Sequence, residues 1–165
     1  MLTIRRTTLD DLDRVDEIFA IAKEFMKSYG DQDQWNGEYP NHVDVKKDIE
    51  NNNAYCVVDK DNVVAYFAFI IGTDKTYAYI EDGKWLNDEP YGTIHRIASD
   101  SKTTHGVFSV VLDYCLNRID NVRIDTHEDN TVMRHVIEKH NFSYCGIIYI
   151  ESGDPRLAYQ ICKKY

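Results

Sequence analysis

Hydrophobic and polar positions repeat along the chain with two periods, and each period predicts one kind of element. Between Thr8 and Gly30, apolar residues recur every three or four positions, as in an amphipathic helix. Thr8 with Asp11 resembles a capping box at the start of this helix, and Gly30 is a suitable end. Three further helices are predicted, over residues 43–50, over residues 106–119 and in the stretch "DNTVMRHVIEKH".

Apolar runs rich in β-branched and aromatic residues predict the strands. "LTIRRT" alternates like a short edge strand, and "AYCVVD" and "VVAYFAFII" form a hairpin around the turn "DKDN". Other strands are predicted in "TYAYIE", "TIHRIAS", "VRIDTH", "FSYCGIIYI" and "RLAYQICKK". The central β-α-β unit in this order requires a parallel strand pair. The sequence therefore predicts an α/β protein, with a mixed sheet between helices, in one domain over residues 1–165.

The charge balance limits the classes of partner. The chain has 28 acidic and 19 basic side chains, which give a formal net charge of -9. An acidic surface disfavours a broad grip on nucleic acid or on an anionic membrane. Because no apolar run approaches the length of a membrane span, we expect a cytoplasmic protein without nucleic-acid or membrane partners.

The cysteines and histidines do not form a metal-binding pattern. Cysteines stand at four isolated positions among apolar residues, namely Cys56, Cys115, Cys145 and Cys162. Such cysteines are more often buried small hydrophobes than disulfide partners or ligands. There is no HExxH motif, and His135 with His140 does not have the usual same-face spacing. We therefore predict no metal.

The stretch "HRIASDSKTTHGVF" reads as a strand, a polar loop and the start of a helix. The amides from about Thr104 to Phe108 precede or begin the helix, where unpaired N–H groups favour an anion such as a pyrophosphate. Lys102 and His105 would add positive charge. Phe108 would obstruct a phosphate if its side chain pointed to the ligand, but not if it pointed into the core. The alternative is an ordinary strand-to-helix turn.

With this element order, the chain resembles the GNAT superfamily of acyl-CoA-dependent N-acetyltransferases over nearly its full length. "TTHGVF" matches the family loop R/Q-x-x-G-x-G/A at the middle glycine, Gly106, and departs from it at Thr103 and Phe108. "DTHEDNTVMRHVIEKHNF" resembles the family's strand, helix-opening Asn130 and later lysine and aromatic residue. Ile137 stands where many members carry a tyrosine.

The resemblance implies a mostly antiparallel sheet whose parallel pair splays apart at the centre, with helices on both faces. It implies acetyl-CoA as co-substrate and no metal. The implied CoA contacts are Ile97, Ala98 and Ser99 for the pantetheine arm, and Lys102, Thr103, Thr104, His105, Gly106, Val107 and Phe108 for the pyrophosphate. Asn130 either reaches the pantetheine or caps its helix.

Acetyl transfer needs a base for the amine, a donor for the oxyanion and a proton for the thiolate. His95 is our first choice of base because an imidazole titrates near neutral pH; the next choices are His127 and Glu81. Period two places His95 on one face of its strand with Ile97 and Ser99. A backbone amide near Ala98 is the implied oxyanion donor. Since Ile137 cannot donate a proton, the candidate sources are Tyr144, Cys145 and water.

The loop "YGDQDQWNGEYP" is the candidate acceptor site, since its aromatic and acidic residues suit a cationic amine. The chosen side chains are Tyr29, Trp35, Glu38 and Tyr39, beside Asp31 and Asp33, with Glu81 from a later segment. Equally, the aromatic residues could cap the core while the acids are solvated. The resulting hypothesis is direct acetyl transfer, within a ternary complex, to an amine of a small molecule or a protein. The alternative is a non-catalytic acyl-CoA-binding or interaction module, and a homodimer is left open.

Overall fold

A computed structural model of the chain describes residues 1–31, 34–35, 37–100 and 106–163. The strands in this part are β1 Leu2–Arg6, β2 Ala54–Asp59, β3 Asn62–Ile71, β4 Gly92–Ser99, β5 Asn121–Thr126, β6 Ser143–Tyr149 and β7 Pro155–Cys162. The helices are α1 Leu12–Ser28, α2 His42–Glu50, α3 Val107–Leu116 and α4 Thr131–Lys139, with short 3-10 turns at Leu9–Asp11 and Lys75–Tyr77.

The described strands form one seven-stranded sheet in the order β1-β2-β3-β4-β5-β7-β6. All neighbouring strands are antiparallel except β4 and β5, which pair in parallel. That parallel ladder covers only Gly92 opposite Val122 and Thr93 opposite Arg123. Beyond these residues β4 and β5 separate, which confirms a mixed, mostly antiparallel sheet with a splayed centre.

Apolar clusters cover both faces of the sheet. On one face Phe67 and Ile94 pack with residues of α3 and α4. On the other, Tyr66 packs with residues of α1 and α2. A third cluster around Tyr77 and Tyr91 lies under the loop of residues 72–91. The sheet therefore lies between two layers, as the element order predicts.

A bulge in β4 changes the directions of the side chains that line the splay. Between His95 and Ala98, β4 advances three residues while β3 advances two, and Arg96 has a φ of 53°. Ile97 then packs with the α3–α4 cluster, whereas His95 contacts Asp74 on the opposite face of the sheet. The prediction that His95 and Ile97 share one face is therefore wrong.

The segment "TYAYIE" is not a strand, contrary to the prediction. Lys75–Tyr77 is a 3-10 turn, and Glu81 makes a single bridge to Ile147 of β6. The Tyr77 ring is buried against Trp85 and Tyr91. Packing of aromatic rings, and not a ladder of strand hydrogen bonds, therefore fixes the position of this segment.

The cysteines are buried and free, as predicted, and burial raises the pKa of the Cys56 thiol to about 11. No helix in the described part of the chain is long and apolar enough to cross a membrane.

Candidate active site

A cavity of about 860 Å³ opens where β4 and β5 separate. Its walls are the last turns of α1, the second half of β4, the end of β5, the start of α4 and the β6–β7 turn. A volume of this size is in the range of small-molecule sites, which span about 300–1,000 Å³. The splay thus creates a ligand-sized space at the carboxyl ends of the central strands.

His95 lines this cavity and is held by a carboxylate. Its Nε2 lies 3.2 Å from Oδ2 of Asp74, and the ring of Tyr77 lies behind it at 6.4 Å between centroids. When Nε2 carries the proton and donates to Asp74, Nδ1 keeps a lone pair that can accept another proton. The pair therefore has the arrangement of an oriented base.

Asp74 is a site residue that the sequence reading did not select. Its Oδ1 accepts hydrogen bonds from the backbone N–H of Thr76 at 2.9 Å and from the Thr76 hydroxyl at 2.7 Å. The hydrogen bond from His95, followed by those from Thr76, lowers the pKa of Asp74 to about 2 despite its partial burial. The carboxylate is thus charged at neutral pH and fixed in orientation by the 3-10 turn that it caps.

We expect Asp74 to contribute a pH-dependent part of the stability. Its pKa of about 2 lies below the ordinary 3.8, so the unfolded chain binds the proton more readily than the folded chain. This contribution is complete above pH 3.8 and is lost as the pH falls toward 2. The difference in free energy of unfolding between wild type and Asp74→Asn, measured by urea unfolding, should shrink over that interval.

In a His95→Ala background the same comparison should show a smaller pH dependence, because the main cause of the lowered pKa is removed. A difference between wild type and Asp74→Asn that stays constant from neutral pH to pH 2 would contradict this account.

The turn before α3 has the backbone that an anion site needs. Gly106 has a φ of 85°, and an added Cβ would meet no atom of the described residues within 4 Å. The N–H of Val110 donates to the Gly106 carbonyl, so the amides of residues 107–109 precede the helical ladder. Lys102, Thr103, Thr104 and His105, which the sequence reading also selected, lie outside the described residues.

The side chain of Phe108 points into the core. It is buried, with its ring 4.9 Å from that of His140 and 6.1 Å from that of Phe142. The Phe108 side chain therefore does not obstruct the backbone amides at the helix start. Val107 is likewise buried, in the same cluster.

One edge of β4 faces the splay. The N–H of Asp100 donates to the Val64 carbonyl in β3. Because strand amides alternate in direction outside the bulge, the Ala98 amide belongs to the β3 ladder, and the Ser99 amide points to the open edge. An open strand edge beside a helix start fits an extended pantetheine arm ending in a pyrophosphate.

Asn130 caps α4 and joins it to α1. Its Oδ1 accepts from the backbone N–H of Met133 at 3.0 Å and from the hydroxyl of Tyr29 at 2.7 Å. Burial raises the pKa of Tyr29 to about 12, so its hydroxyl stays protonated as a donor. Both side chains line the cavity. The capping role of Asn130 is confirmed, and its contact with pantetheine stays a prediction.

Gln34 is a second residue that the sequence reading missed. Its Oε1 accepts from the Asn130 side chain at 3.1 Å, the Thr126 hydroxyl at 2.9 Å and the His127 amide at 2.9 Å. One side-chain oxygen thus ties the candidate acceptor loop to the end of β5 and the start of α4. A lone glutamine in a polar loop gives no signal of this role.

Besides Tyr29, two aromatic residues of the candidate acceptor loop line the cavity, Trp35 and Tyr39, and their contact with an acceptor stays a prediction. Trp35 packs against Phe19 with ring centroids 5.8 Å apart. The hydroxyl of Tyr39 accepts from Arg96 at 3.2 Å. Arg96 also makes a two-point contact with the buried Asp48 of α2, at 2.9 and 2.5 Å, which anchors the β4 bulge.

Other predicted residues lie away from the cavity wall, which in the described part of the chain does not include Glu38, Glu81, His127 or Tyr144. The Nδ1 of His127 accepts from the amide of Asp129 in a turn. Glu81 accepts from Tyr149, and Tyr144 is exposed against the ring of Tyr159. Glu38 is exposed in its loop, and Asp33 lies outside the described residues. Ile137 is fully buried in the core.

Acidic side chains also reach the cavity. Asp125, Glu151 and Asp154 join Asp74 in its lining. Asp125 accepts a hydrogen bond from the buried Tyr77 hydroxyl at 2.6 Å. The wall also holds Lys75, Arg96 and Arg156, and Glu151 pairs with Lys75 at 3.4 Å, so the cavity presents both signs of charge. Asp125 and Asp154 suit a cationic group such as an ammonium. The described residues contain no group of three or more His, Cys, Asp or Glu that could hold a metal ion.

Solved structures identify the family. An acetyltransferase of the GNAT family from Streptococcus agalactiae is 33% identical over 99% of this chain and 96% of its own, with a TM-score of 0.90. The chain therefore belongs to the GNAT family of acetyltransferases. The same fold occurs in a GNAT acetyltransferase from Bacillus cereus, with 20% identity over 99% of this chain and 98% of its own and a TM-score of 0.63.

The fold also occurs in the ribosomal-protein-S18-alanine N-acetyltransferase from Escherichia coli, with 11% identity over 98% of this chain and 94% of its own and a TM-score of 0.63. No protein-family model and no curated protein matched the sequence.

Proposed function

We propose that the protein transfers an acetyl group from acetyl-CoA to a primary amine, by direct attack of the amine within a ternary complex. The observation that carries this proposal is the His95–Asp74 pair, which faces the cavity beside the open edge of β4. Membership of an acetyltransferase family supports the same reaction.

His95 is the proposed base. The amine reaches the cavity as an ammonium and must lose a proton before it can attack. Nδ1 of His95 accepts that proton, while Asp74 holds Nε2 and stabilises the imidazolium that forms. The charged state of Asp74 at neutral pH supports this role.

Backbone amides are the proposed groups that bind the co-substrate. The amide of Ile97, in the β4 bulge that lines the cavity, donates to the carbonyl oxygen as negative charge develops on it. The amide of Ser99 holds the pantetheine arm, and the first amides of α3 hold the pyrophosphate. Acetyl-CoA itself supplies the activated acyl group and a thiolate leaving group.

Water is the proposed proton source for the departing thiolate. Ile137 is buried and has no proton to give, and Tyr144 is outside the cavity wall. Burial raises the pKa of Cys145, which opposes its use as an acid at neutral pH. A thiolate is a stable enough anion near neutral pH to leave before it is protonated, since thiols have pKa values of about 8.5.

Release of free thiol from acetyl-CoA, measured against a panel of primary amines, tests the proposal. We expect turnover with at least one small amine and none without an amine. Calorimetric titration with acetyl-CoA is run on the same protein. Binding without turnover of any amine would favour the non-catalytic acyl-CoA-binding module, and absence of binding would exclude both functions.

A further inference from the structure

A buried arginine lines the cavity and has no acidic partner among the residues that the structure describes. Arg156 lies at the start of β7, two residues before Ala158 and therefore on the same face of the sheet as the Tyr77 cluster. Its residue exposure is only 5%, yet it forms part of the cavity wall. A guanidinium carries a delocalised positive charge.

The described part of the protein gives this guanidinium two hydrogen-bond acceptors, both of them backbone carbonyls. One terminal nitrogen donates to the Pro155 carbonyl at 2.9 Å and the other to the Gln34 carbonyl at 3.4 Å. In the described part of the chain no carboxylate lies within ion-pair distance of Arg156. Carbonyl oxygens do not neutralise the charge, and a guanidinium has five N–H donors. A buried cation in this state favours an anion from a ligand.

Arg156 lies on the acceptor side of the cavity rather than on the CoA side. β7 is separated from β4 by β5, and the proposed pyrophosphate turn begins α3, after β4. Its nearest cavity neighbours in sequence are Ser152 and Asp154 of the β6–β7 turn. The anion that it would bind therefore belongs to the acceptor.

We propose that Arg156 binds the carboxylate of the acceptor, and that the acceptor is a small free amino acid whose amine is acetylated. This inference rests on the proposed function, since it names the substrate class of the same site. The fork of the guanidinium matches a carboxylate with two parallel hydrogen bonds. Asp125 and Asp154, in the same cavity wall, suit the ammonium group of such a zwitterion.

A carboxylate-binding Arg156 would distinguish free amino acids from protein amines as acceptors. At a protein N-terminus, the carboxylate of the first residue is converted to a peptide carbonyl, which cannot neutralise Arg156. An amino-acid amide reproduces that loss with little change in size. The pair of acid and amide is therefore a matched probe of Arg156.

The test compares kcat/KM for free amino acids and for their carboxamides, with acetyl-CoA, in wild type, Arg156→Gln and Arg156→Lys. For the preferred amino acid we expect wild type to favour the acid over the amide by about 10- to 100-fold. Arg156→Gln should reduce that ratio to below about threefold, chiefly through KM of the acid. Arg156→Lys should restore part of the ratio, because it keeps the charge but not the fork.

The outcomes separate this inference from the proposed function. Equal use of acid and amide by wild type, equal loss of both in Arg156→Gln, or a preference for O-phosphoethanolamine over β-alanine would overturn the inference while acetyl transfer stands. If no amine is acetylated, the acetyl-transfer proposal fails. Calorimetric titration of the amino acids into the protein with CoA then decides the role of Arg156. Binding that Arg156→Gln abolishes would support it, and absence of binding would overturn it.

An Arg156→Gln protein that does not fold, judged by its thermal unfolding, would leave Arg156→Lys as the informative variant. The acid-to-amide ratio of kcat/KM in Arg156→Lys is expected to lie between the wild-type ratio and a ratio of about 1. A ratio equal to that of wild type would then count against recognition by the guanidinium fork.

Discussion

Replacement of His95 by alanine is expected to lower kcat for acetyl transfer by about 10²- to 10⁴-fold, the usual contribution of general base catalysis. Acetyl-CoA affinity should change by less than about threefold, because the imidazole is bound to Asp74 and contributes no amide to the β4 edge. Steady-state kinetics with saturating amine, combined with calorimetric titration of CoA, measures both quantities.

Two further variants test whether the loss of kcat is specific to the His95–Asp74 pair. Asp74→Asn keeps the size of the side chain but removes its charge, so it should lower kcat by a smaller factor and shift the pH profile of kcat/KM. His127→Ala removes the other histidine that was a candidate base, whose ring binds the Asp129 amide outside the cavity wall. We expect His127→Ala to retain turnover. Unchanged kcat in His95→Ala would remove His95 from the mechanism.

The periodicity of the sequence predicts most of the fold because the apolar residues of each element face a layer of the core. It does not predict the bulge at Arg96, since an inserted residue becomes visible only against the partner strand. It also misassigns "TYAYIE", in which the tyrosine pattern serves packing between aromatic rings rather than a strand.

The sequence predicts a residue of the candidate site only where a side chain with suitable chemistry stands near the end of a predicted strand or helix. His95 stands in a strand next to the splay and can be selected from the sequence. Asp74 is 21 positions away in a loop, and only the folded chain brings it to Nε2. Arg156 looks like a solvated position at a strand start, although its spacing to Ala158 places it on the face of a buried cluster.

Gly106→Val is expected to weaken CoA binding by at least about 30-fold. The φ of 85° at Gly106 is unfavourable for a residue with a Cβ and costs about 1–2 kcal/mol. A shift of the backbone to relieve that strain would turn the first amides of α3 away from the pyrophosphate. Each hydrogen bond to a charged group contributes about 1.5–3 kcal/mol, so loss of one or two of them is enough for this effect. Calorimetric titration with CoA measures the change.

Strain alone would also lower stability, so the matched control is Gly30→Val. Gly30 has a φ of 97° just after α1, and an added Cβ there also meets no atom in the described part of the chain within 4 Å. Both variants should lose similar stability in thermal unfolding, but only Gly106→Val should lose CoA affinity. Phe108→Ala, whose side chain lies in the core, should lower stability with little effect on CoA. If Gly106→Val and Gly30→Val bound CoA equally well, the α3 turn would be a simple connection between strand and helix, and the pyrophosphate would bind elsewhere.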